Sequence, residues 1–282
     1  MNILEIKDYT ELVETVKRDY LSANKTNSKV NLSWCDNGTE DLCKEINLWT
    51  YWQGFGYAQN KPTIDYLIVG QDWGNPFLEK NAALMNRIRR INNDGEKVHY
   101  LDCSYNERMY TTDENLAVLC SQIGYGKEEK KESILNTRYS SLFFTNYSLG
   151  YRTTQSLGNV SSSESGGMTK ALMDKDKDYF ICLFNILKPK RVICLGKLTF
   201  QCVYEALTGK KATKLSGFKD DYNDFLNNQN GFPVEYTDSM IFPVAHCGAM
   251  GTMNRNKILV GDKRDDPLFL QKKDWAKAKI KK

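Results

Sequence analysis

The chain has 282 residues, of which 41% are hydrophobic and 26% charged, and its formal net charge is +4 at neutral pH. This composition is typical of a folded globular protein, and the length allows a sizeable core in one large domain or in a domain with an extension. The small positive charge permits contacts with phosphates, but it is too low to identify a nucleic-acid-binding protein by itself.

Helical and strand patterns alternate along the chain, as inferred from the spacing of apolar residues. In chain order we predict a helix over Tyr9–Leu21, a strand over Ile64–Gly70, a helix over Asn115–Ile123, a strand over Ser141–Tyr147, a helix over Thr169–Leu187, a strand over Arg191–Gly196, a helix over Leu198–Leu207 and a strand over Ser239–Val244. This alternation predicts an α/β fold, with three layers (α/β/α) around a central, mostly parallel four-stranded sheet.

Three regions are expected along the chain. Residues 1–60 form an N-terminal helical extension packed on the core, residues 61–260 form the α/β domain with an insertion at about 77–113, and residues 261–282 form a basic tail. The aromatic stretch Leu42–Gln59 is expected to pack on the core, with a stacking platform for bases as the alternative. The six lysines of Lys272–Lys282 predict a solvated end, with non-specific attraction to nucleic acid as the alternative.

The location and cofactor content follow from what the sequence lacks. No apolar run approaches the ~20 residues that span a bilayer, and charged residues interrupt any signal-peptide stretch in Met1–Tyr20. The expected location is the cytoplasm, with no membrane partner. The eight cysteines form no C-x-x-C pair, and only two histidines are present. A zinc or iron–sulfur site is therefore not expected, and Cys182, Cys194 and Cys202 are predicted to be reduced core thiols. No organic cofactor is expected either, since neither G-x-G-x-x-G nor G-x-x-x-x-G-K-S/T occurs.

Chemically distinctive residues follow the carboxyl ends of the four predicted strands, where open α/β sheets bind ligands. They are Gln71 and Asp72, Asn146, Gly196 and Lys197, and His246. A carboxylate can deprotonate a water or stabilise a developing positive charge, and an amide can pair with the edge of a base. A histidine can donate a hydrogen bond to an oxygen that becomes anionic. These three capacities match the breaking of an N-glycosidic bond to a heterocyclic base.

Four motifs occur in order within Ile64–Lys257, about two-thirds of the chain. They are G-Q-D at Gly70–Asp72, L-F-F-T-N at Leu142–Asn146, L-K-P-K-R-V-I-C-L-G at Leu187–Gly196 and A-H-C-G-A-M at Ala245–Met250. In order and spacing they resemble the uracil-DNA glycosylase superfamily. The first is similar to the start of that family's G-Q-D-P-Y-H, the second to its strand ending in a base-reading Asn, the third to its helix, proline and strand before a glycine, and the fourth to its H-P-S-P-L.

The resemblance implies a role for each matching residue. Asp72 would hold the attacking water and stabilise an oxocarbenium-like sugar, and His246 would support the departing base as an anion. The implied base-binding residues are Gln71, Trp73, Gly74, Asn146 and Tyr110, with Phe77 as an alternative stacking ring. The implied DNA-binding residues are Lys197, Met250, Asn254 and Arg255. Met250 stands at the family's wedge position, and the cations would contact phosphates.

Departures from the family motifs bear on the expected substrate. Trp73 replaces a proline, and Gly74 replaces the tyrosine that crowds the pyrimidine 5-position. The pocket is therefore expected to accept a bulky 5-substituent, unless Trp73 or the insertion fills the space. Cys247–Gly248–Ala249 replaces P-S-P, so the histidine loop is expected to be more flexible.

The expected function is that of a monomeric, monofunctional DNA glycosylase. It would remove uracil or a 5-substituted pyrimidine and leave an abasic site, in base-excision repair or in defence against modified viral DNA. No lysine is clearly placed for a Schiff base, so strand cleavage is not expected.

Structural alternatives stand beside these assignments. Asp72 can cap a turn, Asn146 can be a turn residue, and His246 and Met250 can be packing residues. Trp73 can be a core lid, Lys197 and Arg255 can be surface charges, and His99 in the insertion is expected to be solvated. For the whole chain, the alternatives are a non-catalytic member of the fold that binds DNA or a modified base, and an enzyme acting on free nucleosides or nucleotides.

Overall fold

The fold is built around a five-stranded mixed sheet. The computed structural model describes residues 2–22, 32–33, 63–72, 111–125, 141–149, 151–152, 170–221, 224–225, 232–257 and 265–281. The strands in these ranges are β1 Leu32–Ser33, β2 Tyr66–Gly70, β3 Leu142–Asn146, β4 Tyr151–Arg152, β5 Arg191–Leu195, β6 Val234–Tyr236 and β7 Ser239–Val244. The order in the sheet is β3-β2-β5-β7-β6, and β1 and β4 pair separately.

The four predicted strands are present and form the parallel part of the sheet, in which β2 lies between β3 and β5, and β5 lies between β2 and β7. Every residue of β2 and β3 is buried. Burial on both faces explains why these strands are short, continuous apolar runs.

The prediction of a four-stranded, mostly parallel sheet was incomplete, because β6 adds a fifth strand that is antiparallel to β7. This strand has only three residues, and Glu235 at its centre is exposed. Pro233 precedes it, and a turn containing Thr237 in the left-handed region joins it to β7. Such a short half-exposed segment next to proline carries no strand periodicity that the sequence pattern can reveal.

The helices in the described ranges are α1 Tyr9–Ser22, α2 Thr111–Gln122, α3 Lys170–Met173, α4 Lys177–Leu187, α5 Lys197–Thr208, α6 Ala249–Asn256 and α7 Phe269–Ala276. Helices α1 and α5 agree with the prediction to within a residue at each end, whereas α2 begins four residues before Asn115. Helix α4 ends as predicted before Pro189, with Lys188 in the left-handed conformation. Helices α6 and α7 were not predicted.

The predicted helix Thr169–Leu187 is divided by a 3-10 turn at Asp174–Asp176. The buried carboxylate of Asp176 accepts hydrogen bonds from the Leu149 amide at 2.9 Å and from the Ser148 hydroxyl at 3.2 Å. The turn therefore joins this helical region to the segment that follows β3.

The helices form two contacting groups. Helix α4 contacts both α1 and α5, and α7 contacts both α2 and α6. Helix α5 packs on β5 and β7, and α7 packs on β7. One hydrophobic core includes Leu12 and Val16 of α1 together with the buried sheet residues. None of the helices in the described ranges is long and apolar enough to cross a membrane.

The C-terminal segment is packed on the domain, which corrects the prediction of a solvated end. Trp275 and Ala278 are fully buried, and the Ile280 amide donates a hydrogen bond to the Tyr66 hydroxyl at 2.7 Å. The neighbouring Lys273 and Lys277 are exposed. The packing was not predicted because lysines dominate the composition of this segment, whereas only a few apolar residues make its buried contacts.

The cysteines in the described ranges are free and buried: Cys120, Cys182, Cys194, Cys202 and Cys247. This confirms the prediction of reduced core thiols for Cys182, Cys194 and Cys202. Burial raises the pKa of Cys182 to about 11 and that of Cys202 to about 12. Both thiols are therefore protonated and unreactive at neutral pH.

Candidate functional site at the carboxyl edge of the sheet

The parallel strands end level with one another. Gly70 of β2 is opposite Asn146 of β3, and Leu195 of β5 is opposite Val244 of β7. The Gly196 amide donates to the Val244 carbonyl at 2.8 Å, so pairing continues past the end of β5. The segments carrying Asp72, Asn146, Lys197 and His246 therefore leave the sheet at the same edge.

The carboxamide of Asn146 lies against the backbone of Gly70. Asn146 is 6% exposed, and a Cβ atom built on Gly70 would overlap its Oδ1. Within the described part of the chain, no hydrogen bond reaches this carboxamide. Asn146 therefore presents a buried donor and acceptor at the sheet edge, and only glycine at position 70 leaves room for it.

Strand pairing fixes Gln71 and Asp72 relative to Asn146. The Tyr147 amide donates to the Gly70 carbonyl at 2.9 Å, and the Ser148 amide donates to the Gln71 carbonyl at 3.0 Å. The Gln71 side chain then donates from Nε2 to Oδ2 of Asp72 at 2.8 Å. Gln71, predicted to contact the base, therefore bonds to the carboxylate and holds it in one orientation.

His246 is held in one tautomer. Its Nδ1 accepts a hydrogen bond from the Gly248 amide at 3.0 Å, so the proton of the neutral ring is on Nε2. Burial lowers the pKa of His246, and the opposing effect of the Asp72 carboxylate is smaller. The ring is therefore neutral at physiological pH, and it lies close enough to Asp72 for the two groups to interact electrostatically.

Side chains from two helices hold the histidine loop, 245–248, which was expected to be flexible. Asn115 of α2 donates from Nδ2 to the Cys247 carbonyl at 2.7 Å. Gln271 of α7 donates from Nε2 to the carbonyls of His246 at 3.1 Å and Ala245 at 3.3 Å. Neither residue was predicted to belong to the site, because nothing in their local sequence shows that their helices pack beside this loop.

The residues expected to contact DNA differ in their exposure. Met250, in the first turn of α6, is 47% exposed, and Met253 on the same helix is 50% exposed. Asn254 is half-buried. The Lys197 ammonium bonds to the Asp220 carbonyl and lies 4.9 Å from the centre of the Phe218 ring. A phosphate contact by Lys197 would compete with these two interactions and stays a prediction.

The assignment of Arg255 to DNA binding was wrong. Its side chain is 7% exposed and forms a bidentate ion pair with Asp274, from Nε to Oδ2 at 2.7 Å and from Nη2 to Oδ1 at 3.2 Å. A guanidinium buried and occupied in this way cannot reach a phosphate on the surface. The pair joins α6 to α7, and it was missed because Asp274 belongs to the segment predicted to be solvated.

Three of the predicted base-binding residues, Trp73, Gly74 and Tyr110, lie outside the described residues, as does the alternative stacking ring Phe77. Their assignments stay predictions. The same holds for the insertion up to Tyr110 and for the aromatic stretch Leu42–Gln59.

Replacing Gly70 with alanine is expected to displace the Asn146 carboxamide, because the added methyl group would overlap Oδ1. Overpacking of this kind costs about 1–3 kcal/mol of unfolding free energy, which urea denaturation would measure. In an Asn146→Ala background the same change should cost much less, since the overlapping atom is gone. Equal costs in the two backgrounds would contradict the proposed contact.

In comparisons with known proteins, no family model, no curated protein and no solved structure matches the chain.

Proposed function

We propose that the chain is a monofunctional DNA glycosylase that hydrolyses the N-glycosidic bond of an extruded uracil or 5-substituted pyrimidine. One observation carries the proposal. A carboxylate, a buried carboxamide and a neutral imidazole, from Asp72, Asn146 and His246, leave the sheet at one edge, and the charge of Asp72 affects the pKa of His246. Function rests on this site, because a fold alone does not specify an activity.

We also propose an architecture and a cellular setting for the protein. The two groups of helices, α1 with α4 and α5, and α2 with α6 and α7, support a three-layer α/β/α arrangement around the sheet. We place the protein in the cytoplasm, as a monomer acting on DNA in base-excision repair or in defence against modified viral DNA. Met250, exposed four residues after His246, is proposed to fill the gap that the extruded base leaves.

In the proposed reaction, the oxygen of a water bonds to C1′ of the sugar while the bond from C1′ to the base nitrogen breaks. The electron pair of that bond leaves with the base. Asp72, held by Gln71, orients the water, accepts its proton and stabilises the positive charge on the sugar. The base departs as an anion and takes a proton from solvent. No covalent enzyme intermediate forms, so strand cleavage does not follow.

His246 would stabilise the departing base without giving up its proton. The neutral ring carries hydrogen on Nε2, since Nδ1 accepts from Gly248. A preorganised neutral donor stabilises an oxygen that gains negative charge, and it requires no reorganisation during the reaction.

Asn146 would select the base. A buried carboxamide discriminates by its pattern of donor and acceptor, because a base with the wrong pattern leaves a buried polar group unpaired.

The direct test offers the protein single- and double-stranded oligonucleotides, each containing one uracil, thymine or 5-substituted cytosine. Released bases are identified by mass spectrometry, and abasic sites are detected as alkali-labile breaks. We expect a free base and an abasic site from at least one substrate, and no break without alkali. Binding to these DNAs with no base released from any of them would reject the enzyme in favour of a non-catalytic binder.

The stability of the protein is expected to rise with pH below about 6.5, the ordinary pKa of histidine. The pKa of His246 is lowered in the folded state, so the unfolded chain binds more protons between the two pKa values. This difference is lost above the unfolded value, where both states are neutral. Its contribution is at most about 1.4 kcal/mol per pH unit.

Urea denaturation between pH 5 and 7.5 would measure this slope in the wild type and in His246→Gln. The slope should decrease in His246→Gln and persist in His99→Gln, the matched change at the only other histidine. An unchanged slope in His246→Gln would show that His246 does not titrate as expected.

A further inference from the structure

We propose that Gln271 is a positioning residue of this site, whose carboxamide fixes the backbone on either side of the His246 ring. The catalytic consequence rests on the proposed function, whereas the structural one does not. Gln271 is fully buried and donates from a single Nε2 to two consecutive carbonyls, at 3.1 Å to His246 and 3.3 Å to Ala245. The amide therefore bonds to both carbonyls of the segment that connects the end of β7 to the rest of the histidine loop.

The orientation of the Gln271 amide follows from its neighbours. If the amide were flipped, Oε1 would face two carbonyl oxygens and both interactions would become repulsive. In the observed orientation, Oε1 is buried and meets no donor within the described ranges. An unpaired buried acceptor destabilises a fold, and an apolar side chain at position 271 would avoid this cost. The contribution of Gln271 to this region is therefore its two donated bonds, because its Oε1 only adds a cost.

The backbone of His246 is confined from a second side by α6. A Cβ atom built on Gly251 would overlap the His246 carbonyl oxygen, so α6 approaches that peptide as closely as glycine allows. The Thr252 amide donates to the Gly248 carbonyl at 3.0 Å, which fixes the other end of the loop. With Gln271 on one side and Gly251 on another, the His246 peptide has little freedom to shift.

Gln271 is itself held in place, because α7 is attached to the domain next to it. Three residues along the helix, Asp274 forms the buried ion pair with Arg255, and Trp275 is fully buried. A donor on a packed helix sets the position of a catalytic ring more sharply than a donor on a loop, and a misplacement of about 1 Å can cost ~100-fold in rate.

The test replaces Gln271 with methionine, which keeps the length of the side chain and removes the donor. The matched control is Gln201→Met on α5, where the lost hydrogen bond goes to Glu205 instead of the loop. The chain has only two histidines, so nitrogen NMR can follow the tautomer and pKa of His246 directly. In Gln271→Met we expect the pKa of His246 to rise towards its ordinary value and both tautomers to be populated. Gln201→Met should match the wild type.

Activity gives a second readout through the pH profile. Gln271→Met is expected to lower the single-turnover rate of base release by at least about 10-fold at every pH. In Gln271→Glu, a protonated carboxyl can still donate, whereas a carboxylate repels both carbonyls. The rate of the glutamate variant relative to wild type should therefore be highest at low pH and fall as pH rises. A residue that only supports the fold would give no such trend.

These outcomes separate the inference from the proposed function. A folded Gln271→Met with the wild-type tautomer and pKa at His246 would overturn the positioning role, whatever its activity. A wild-type protein that releases no base would reject the glycosylase, while the NMR comparison would still decide the role of Gln271. If the methionine variant does not fold, the same NMR measurement on Gln271→Glu across pH decides it: a pH-independent His246 tautomer would overturn the inference.

Discussion

Replacing Asp72 with asparagine is expected to reduce the rate of base release by at least about 100-fold, while the protein stays folded. Asparagine keeps the shape of the side chain but can neither accept a proton from water nor stabilise a positive sugar by charge. Loss of one preorganised electrostatic group typically costs about 10²–10³ in rate. Single-turnover assays with the best substrate from the base-release screen would measure it.

A matched control is available on the same strand. Asp65 precedes β2 at its opposite end, where it accepts a hydrogen bond from Ser141 at 2.9 Å and pairs with Lys190 at 2.7 Å. Asp65→Asn makes the same chemical change far from the proposed site and should leave the rate unchanged. If Asp72→Asn retained the wild-type rate, Asp72 would be only a structural residue and the proposed mechanism would be wrong.

Breaking the buried ion pair between Arg255 and Asp274 is expected to have the largest effect on stability. Arg255→Ala or Asp274→Ala leaves an uncompensated charge in the interior, which costs about 3–5 kcal/mol. Urea denaturation would measure this loss. The double variant Arg255→Met with Asp274→Leu should recover much of it, because neither charge then remains buried.

A third charge near this pair provides the control. Lys277 lies 3.6 Å from Asp274 Oδ1, but it is 52% exposed. Lys277→Ala should therefore change stability by less than about 1 kcal/mol. If Arg255→Ala kept the wild-type stability, the buried ion pair would not be the support between α6 and α7 that we infer.

The strands that carry the site could be predicted from the sequence. A strand buried on both faces is a continuous run of apolar residues, and this run can be recognised without knowing which distant residues cover it. Leu142–Asn146 and Arg191–Leu195 are apolar at every position that a covered strand requires, apart from their polar ends. The polar residue that ends such a run, such as Asn146, is then a candidate for the edge of the sheet. The strands were predicted to be parallel, and parallel strands end at the same edge of the sheet. The residues that follow them were therefore expected to lie near one another.

The supports of the site could not be predicted in the same way. Arg255 and Gln271 lie in charged, polar stretches, and their roles depend on α7 packing beside α6 and β7. Local sequence does not encode which buried partner a polar side chain meets. The prediction of a solvated tail failed for the same reason, since Trp275 is one apolar residue among lysines.

The attachment of α7 to the histidine loop sets the order in which the proposed site becomes functional during translation. A nascent chain that ends at Lys257 already contains β7, His246 and α6, but lacks the donors of Gln271 and the partner of Arg255. The Gly248 amide and Asn115 can already hold the imidazole and its loop, but the support from α7 is missing until residues 265–281 have emerged from the ribosome and docked. A ribosome-bound intermediate that has folded its sheet would therefore still lack the two bonds that hold the backbone at His246.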